Sequence, residues 1–277
     1  MSDIQTNLPG SAAPHSDQRL GEVILRTEGL TKHYGGVHAL VDCNFEIRRG
    51  EHVAIMGDNG AGKSTFVRQV TGVEQPTAGK IYFDGELVEF KTPIEARNHG
   101  IETVFQNLAL ADDLDVPSNL FLGREETYFN LGPFSFLNER KMLNHAREVL
   151  RQTGVKIPNL KNKIRNMSGG QRQCVAIART ATFHSRLTIM DEPTAALGVQ
   201  ETAQVENIIR SLKQRGIPLI LISHNLRQVF DLVDRIWVFR RGKIVGAVDR
   251  DKTDGNEIVS LITGVKSAIG PGEAAFV

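Results

Sequence analysis

The 277-residue sequence has only two cysteines, Cys43 and Cys174, and one tryptophan. Two cysteines are too few for a disulfide framework or a thiolate metal cluster, so both read as small buried residues in a reducing compartment. Neither charge sign is in excess: 33 basic residues against 32 acidic ones leave a formal net charge of +1. That balance removes charge-driven disorder and argues against a general nucleic-acid binder, which needs a basic stripe. Long hydrophobic runs are also missing. The longest apolar stretch, Ile217-Pro-Leu-Ile-Leu-Ile222, falls far short of the roughly 20 residues of a membrane-spanning helix. The opening residues, MSDIQTNLPGSAAPHSDQ, are polar and lack the apolar core of a secretory signal. What is present, 40% hydrophobic and 23% charged residues, suits a globular chain able to bury one large core or two smaller ones.

Periodicity divides the chain. Residues 1–21 are rich in Ser, Pro, Ala and Gly without a period and read as a mobile tail. Strands are predicted at Val23–Leu30, at Phe45–Ile47 before the turn Arg48-Arg-Gly50, and at His52–Met56. The last is a continuous apolar run, the mark of a strand buried on both faces. From about 91 to 166 the pattern changes. Met142, Leu143, Ala146, Val149 and Leu150 recur at helical spacing, and Pro117, Gly132 and Pro133 punctuate, so this stretch reads as an inserted helical subdomain. Strand and helix then alternate again: Leu187–Met190, a helix face of Val205, Ile208, Ile209 and Leu212 ended by Gly216 and Pro218, then Leu219–Ile222 and Arg235–Phe239. Arg241-Gly242 predicts a hairpin turn into Lys243–Val245. Residues 266–277, ending GPGEAAFV, read as a loose tail.

The strongest motif is Gly57-Asp58-Asn59-Gly60-Ala61-Gly62-Lys63-Ser64-Thr65. It fits G-x-x-x-x-G-K-[ST], with a buried strand before it and a helix-compatible run after it. Glycines there let backbone N–H groups curl around phosphates, and the next helix points its positive end at them. Lys63 would reach the β and γ phosphates, and Ser64 would hold Mg²⁺. A second signal is the apolar strand Leu187–Met190 running into Asp191-Glu192. Carboxylates at the carboxyl end of such a strand sit beside the phosphate loop of a parallel sheet. Asp191 is placed to support Mg²⁺, and Glu192 to orient or deprotonate an attacking water.

With Asn166-Met-Ser168-Gly169-Gly170-Gln171, Phe105-Gln106, Ile222-Ser223-His224 and Lys32-His33-Tyr34-Gly35-Gly36 in the same order, the chain resembles the ATP-binding cassette ATPases across roughly Val23 to Gly246. The resemblance implies an α/β fold: a P-loop NTPase core of mostly parallel sheet with helices on both faces, an N-terminal antiparallel β part and an inserted α-helical subdomain. The cassette then spans 22–265, its core formed by 22–90 and 167–265 and its helical subdomain by 91–166. The implied roles are these. Tyr34 stacks on adenine. Residues Gly57 to Thr65 hold the phosphates. Gln106 senses Mg²⁺ and the γ-phosphate and links the core to the helical subdomain. Asp191 supports Mg²⁺, Glu192 is the general base, and His224 contacts the γ-phosphate and positions water. Ser168, Gly169, Gly170 and Gln171 act in trans on ATP held by a second copy. One departure is visible: where the family usually has a Ser-Ala-Leu-Asp type loop, this chain has Ala195-Ala196-Leu197-Gly198. That change bears on turnover and coupling, not on ATP binding.

The stretches Asn98 to Leu110 and Ser118 to Glu125, with Phe121-Leu-Gly-Arg-Glu125, resemble the monosaccharide importers of the ribose, xylose, galactose and fructose group. The resemblance implies a homodimer of single cassettes on the cytoplasmic face of the membrane. Two separate transmembrane permease subunits would sit on it, served indirectly by an extracytoplasmic sugar-binding protein, with no nucleic acid involved. Competing readings are an ATPase for a different solute, an ATP-binding regulatory subunit with little turnover, and a chromosome, repair or translation ATPase. The last lacks the coiled-coil insertion or basic linker it would need.

Overall fold

The computed structural model describes residues 21–131, 134–182, 185–195 and 197–266. The chain opens with β1 (Val23–Tyr34), β2 (Val37–Arg48) and β3 (His52–Met56), followed by α1 (Lys63–Val70), β4 (Ala78–Phe83) and β5 (Glu86–Val88). Next come α2 (Pro93–Asn98), β6 (Ile101–Val104), α3 (Val116–Leu120), β7 (Thr127–Leu131), β8 (Phe134–Leu137) and α4 (Glu139–Thr153). The remainder is α5 (Gly169–Thr182), β9 (Leu187–Asp191), α6 (Val199–Gln214), β10 (Leu219–Ile222), α7 (Leu226–Leu232), β11 (Arg235–Arg240), β12 (Lys243–Asp249) and α8 (Gly255–Thr263).

Three sheets result. The largest has the order β12-β11-β3-β10-β9-β6, parallel except for β12 at one edge. An antiparallel sheet, β2-β1-β4-β5, lies on the N-terminal side, and β7 and β8 form a separate hairpin. Every residue of β3 and β10 is buried, as their unbroken apolar runs predict. Alternate side chains point to opposite faces. Ala54 and Met56 join one core with the helices that carry Met142, Val175, Val205 and Leu261. Val53 and Ile55 join a second core with Phe66 of α1 and Phe45 and Phe83 of the antiparallel sheet. The central sheet is thus packed on both faces.

Local chemistry sets the helix ends. Asn138 caps α4, accepting from the Lys141 amide at 2.9 Å, and Gly154 ends it in the left-handed region at φ 71°. Asp254 caps α8 through the Glu257 amide at 2.8 Å. The stretch 91–166 differs from the helical subdomain expected there in two places. β6 lies within it, yet its main chain pairs with β9 as the edge strand of the parallel sheet, and the hairpin β7–β8 interrupts its helices. Of the tails expected at 1–21 and 266–277, all but Gly21 and Lys266 lie outside the described residues.

Candidate nucleotide site

Four loops meet at one edge of the sheet because β3, β6, β9 and β10 run in the same direction. Ile222 of β10 pairs with Ile55 of β3 on one side and Asp191 of β9 on the other, and Val104 of β6 pairs with Met190. The residues just beyond these ends are Gly57 to Gly62, Glu192, Ser223-His224 and Phe105-Gln106. In a parallel sheet of this type the crevice outside the carboxyl ends is where ligands bind.

The phosphate loop connects β3 to α1. Gly62 sits at φ 104°, and a Cβ there would lie 2.8 Å from the carbonyl oxygen of Ala39, so only glycine fits. The Gly242 amide donates to the Ala61 carbonyl at 3.0 Å, which braces the loop from the β11–β12 turn. Lys63 is buried and folds back across the loop, donating to the carbonyls of Gly57 at 2.6 Å and Asp58 at 2.9 Å. Burial lowers its ammonium below the usual lysine range, against the pull of Glu192, Asp191 and Asp58. Ser64 is exposed at the start of α1, and Thr65 behind it is half-buried.

Asp191 is the last residue of β9 and half-buried. Burial, then the neighbouring Glu192, raise its carboxyl above the usual range, while Lys63 and Arg68 oppose the shift. Glu192 stands at φ 48°, a conformation a non-glycine residue holds only at a cost of about 1–3 kcal/mol. Its amide donates to the Ile222 carbonyl at 2.9 Å, and its Oε1 lies 3.2 Å from Nδ1 of His224. Two carboxylates and a lysine therefore share one edge with an exposed imidazole. Gln106, exposed, follows two residues after the end of β6.

Tyr34 is at the end of β1 and 43% exposed. Its hydroxyl bonds Glu74, which also pairs with Arg68 at 3.2 Å, and Lys32 lies 5.3 Å over the ring. Burial, then Glu74, raise the phenol above its usual range, while Arg68 and the nearby Thr65 hydroxyl oppose the shift. Tyr34 thus belongs to the same neighbourhood as the phosphate loop.

Ser168 to Gln171 occupy a different place, at the start of α5. The Gln171 amide donates to Ser168 Oγ at 3.2 Å, and the Ser168 amide donates to Gln171 Oε1 at 3.1 Å, a reciprocal capping box. Among the described residues no hydrogen bond joins these four to the phosphate loop. Gly170 is needed for packing, since a Cβ there would run into the side chain of Glu201. Of the loop that departs from the family pattern, Ala196 lies outside the described residues.

Sequence reading missed several contributors. Arg68 is one helical turn past Ser64 and its charge opposes the rise of the Asp191 carboxyl, and Glu74 holds both Arg68 and Tyr34. The spacing from the phosphate loop gave some signal for Arg68. Nothing local marks Gln228, which accepts from both Thr194 and Ser223.

A glycine-cradled loop and lysine after β3, an acid pair at the end of β9 and a histidine just past β10, the strand between those two, make this a nucleotide-binding protein of the P-loop class. The family profile described as ABC transporter matches residues 40–195, and the chain belongs to that family. It is 41% identical over 240 residues to the xylose/arabinose import ATP-binding protein XylG of Sulfolobus acidocaldarius, covering 87% of this chain and 94% of that one. It is 42% identical to the fructose import ATP-binding protein FrcA of Rhizobium meliloti, covering 88% and 95%. Against the galactofuranose transporter ATP-binding protein YtfR of Escherichia coli it is 37% identical over 87% of this chain, which spans 47% of that protein. Among solved structures, a nucleotide-free ATP-binding cassette from an ABC transporter superposes with a TM-score of 0.75 at 27% identity, covering 90% of this chain and 99% of that one. The ADP conformation of MJ1267, an ATP-binding cassette of an ABC transporter, gives 0.73 at 27%, covering 87% and 95%.

Proposed function

We propose that this chain is the ATP-hydrolysing subunit of a monosaccharide importer. The observation that carries the reading is the Glu192–His224 pair, 3.2 Å apart, at the sheet edge that also holds Lys63 and Asp191. The names of the xylose/arabinose and fructose relatives supply the solute class.

ATP would lie along the edge with its base on Tyr34 and its phosphates in the loop from Gly57 to Thr65, where Lys63 exchanges its carbonyl partners for phosphate oxygens. Mg²⁺ suits the oxygen donors of Ser64, Gln106 and Asp191, and the raised Asp191 carboxyl is a half-buried anion that a cation would relieve. When bound, the ion neutralises phosphate charge. Glu192 accepts a proton from the attacking water, and His224 holds the γ-phosphate and orients that water.

Ser168, Gly169, Gly170 and Gln171 would complete the site of a second copy, so two chains would close over two ATP molecules. A cavity of about 450 Å³ beside Phe105, lined by Arg97, Glu102, Leu122, Arg124 and Arg179, would receive a short helix of each of two membrane permease subunits. No helix among the described residues is long and apolar enough to cross a membrane. The chain would then act peripherally at the cytoplasmic face, with sugar delivered by an extracytoplasmic binding protein.

The test is uptake of labelled monosaccharides by cells lacking this chain, complemented with wild type or with Glu192→Gln. Uptake of one sugar restored by wild type alone supports the reading. Unchanged uptake of every sugar rejects the solute class, and phosphate release without transport leaves only the ATPase.

A further inference from the structure

We infer that Gln228 is a positioning residue whose single amide oxygen holds the Glu192 loop against the His224 loop; the inference rests on the hydrolytic roles proposed above for those two residues. Gln228 lies in α7 and is 1% exposed. Its Oε1 accepts from the Thr194 hydroxyl at 3.2 Å and from the Ser223 hydroxyl at 3.0 Å. Thr194 follows Glu192 by two residues, and Ser223 precedes His224.

Each loop is fixed locally as well. The Ala195 amide donates to the Glu192 carbonyl at 3.1 Å, closing a turn around Thr194. Ser223 Oγ accepts from the Asn225 amide at 3.1 Å, and Asn225 Oδ1 caps α7 through the Gln228 amide at 3.2 Å. These contacts make two small rigid units, and Gln228 Oε1 is the atom that both touch.

Two further observations favour a role beyond filling space. Glu192 is held at φ 48°, a strained conformation that persists only where its surroundings over-determine it. Gln228 Nε2 is buried and has no partner among the described residues. A side chain kept only for packing would avoid that unmet donor. The acceptor is the useful half of the amide.

The experiment uses the full-length chain and steady-state phosphate release at varied Mg-ATP. Gln228→Met keeps the volume and removes the acceptor. Gln228→Glu keeps the acceptor. The expected result is that Gln228→Met lowers kcat about tenfold, the scale of losing hydrogen bonds that position a reacting group, with KM for ATP within about twofold of wild type. Gln228→Glu restores most of kcat. Thr194→Val removes one donor without touching α7 and should lower kcat alone, while adding little to Gln228→Met. Equal kcat in wild type and Gln228→Met, or equal losses in Gln228→Met and Gln228→Glu, overturns the inference. If Gln228→Met does not fold, Thr194→Val with unchanged kcat overturns it by itself. Failure of the wild-type chain to release phosphate would instead count against the proposed function.

Discussion

Nδ1 of His224 lies 3.2 Å from Oε1 of Glu192, across 32 positions of sequence. The contact exists because β9 and β10 are adjacent parallel strands in register, with Asp191 opposite Ile222. Each strand then delivers its next residues to the same edge. The Glu192 amide is also tied to the Ile222 carbonyl, so main chain brings the two loops side by side.

Replacing Glu192 by Gln keeps the shape and the approach to His224 but removes the base proposed above. Phosphate release is expected to fall by about 10²–10⁴-fold, the usual worth of a general base. Nucleotide affinity, measured by titration with a fluorescent ATP analogue, is expected to stay within a few-fold of wild type. Equal losses of binding and release would make Glu192 a binding residue.

Lys63 bonds two carbonyls of its own loop, those of Gly57 and Asp58. Lys63→Ala therefore removes the phosphate contact proposed above and also frees the loop. ATP affinity is expected to fall by at least about tenfold, in line with the loss of a charge-assisted hydrogen bond worth about 1.5–3 kcal/mol. The thermal shift that ATP produces in wild type should shrink with it, and an unchanged shift would count against the contact.

His52 is fully buried in β3, and burial pushes its imidazole down to about 4. An unfolded histidine titrates near 6.5. Above that pH both states are neutral and stability is complete. As pH falls from about 6.5 to about 4 the unfolded chain takes up a proton that the folded chain refuses, and stability drops by about 3 kcal/mol. Denaturant midpoints across this window check it. His52→Gln should flatten that part of the profile, and an unchanged slope would remove His52 as its cause.

Position 198 is glycine, and a Cβ there would lie 2.6 Å from Oε2 of Glu201. That oxygen is the free end of a flexible side chain, and Gly198 is the extended N-cap of α6 at φ −70°, where an aspartate can supply a capping acceptor. Gly198→Asp is therefore expected to leave stability within about 1 kcal/mol of wild type. Thermal melts decide, and a large loss of stability that Glu201→Ala recovers would mean that the two carboxylates crowd.

Much of this was legible before any coordinates. The strands His52–Met56 and Leu219–Ile222 announced themselves as unbroken apolar runs, because a strand covered on both faces has no polar side to show. The helix through Met142 and Leu150 was readable from its spacing. β6 was not. Ile101-Glu-Thr-Val104 is four residues long with a carboxylate in the middle, and Glu102 is tolerated there because Arg124 meets it at 2.8 Å and Arg97 and Arg179 add their charge. The hairpin β7–β8 was also invisible within a stretch dominated by helical periodicity.

The sequence alone determined the chemistry: a phosphate loop, an acid pair, a histidine and a capped Ser-Gly-Gly-Gln turn are patterns of near neighbours, and local backbone rules specify what each can do. Tertiary structure alone decided which of them meet. Strand order put Glu192 beside His224, and among the described residues no hydrogen bond joins Ser168 to Gln171 with the phosphate loop. It also made Gln228 the common acceptor of two loops. Such contacts depend on which strands pair across long separations, and no short-range pattern of residues encodes that.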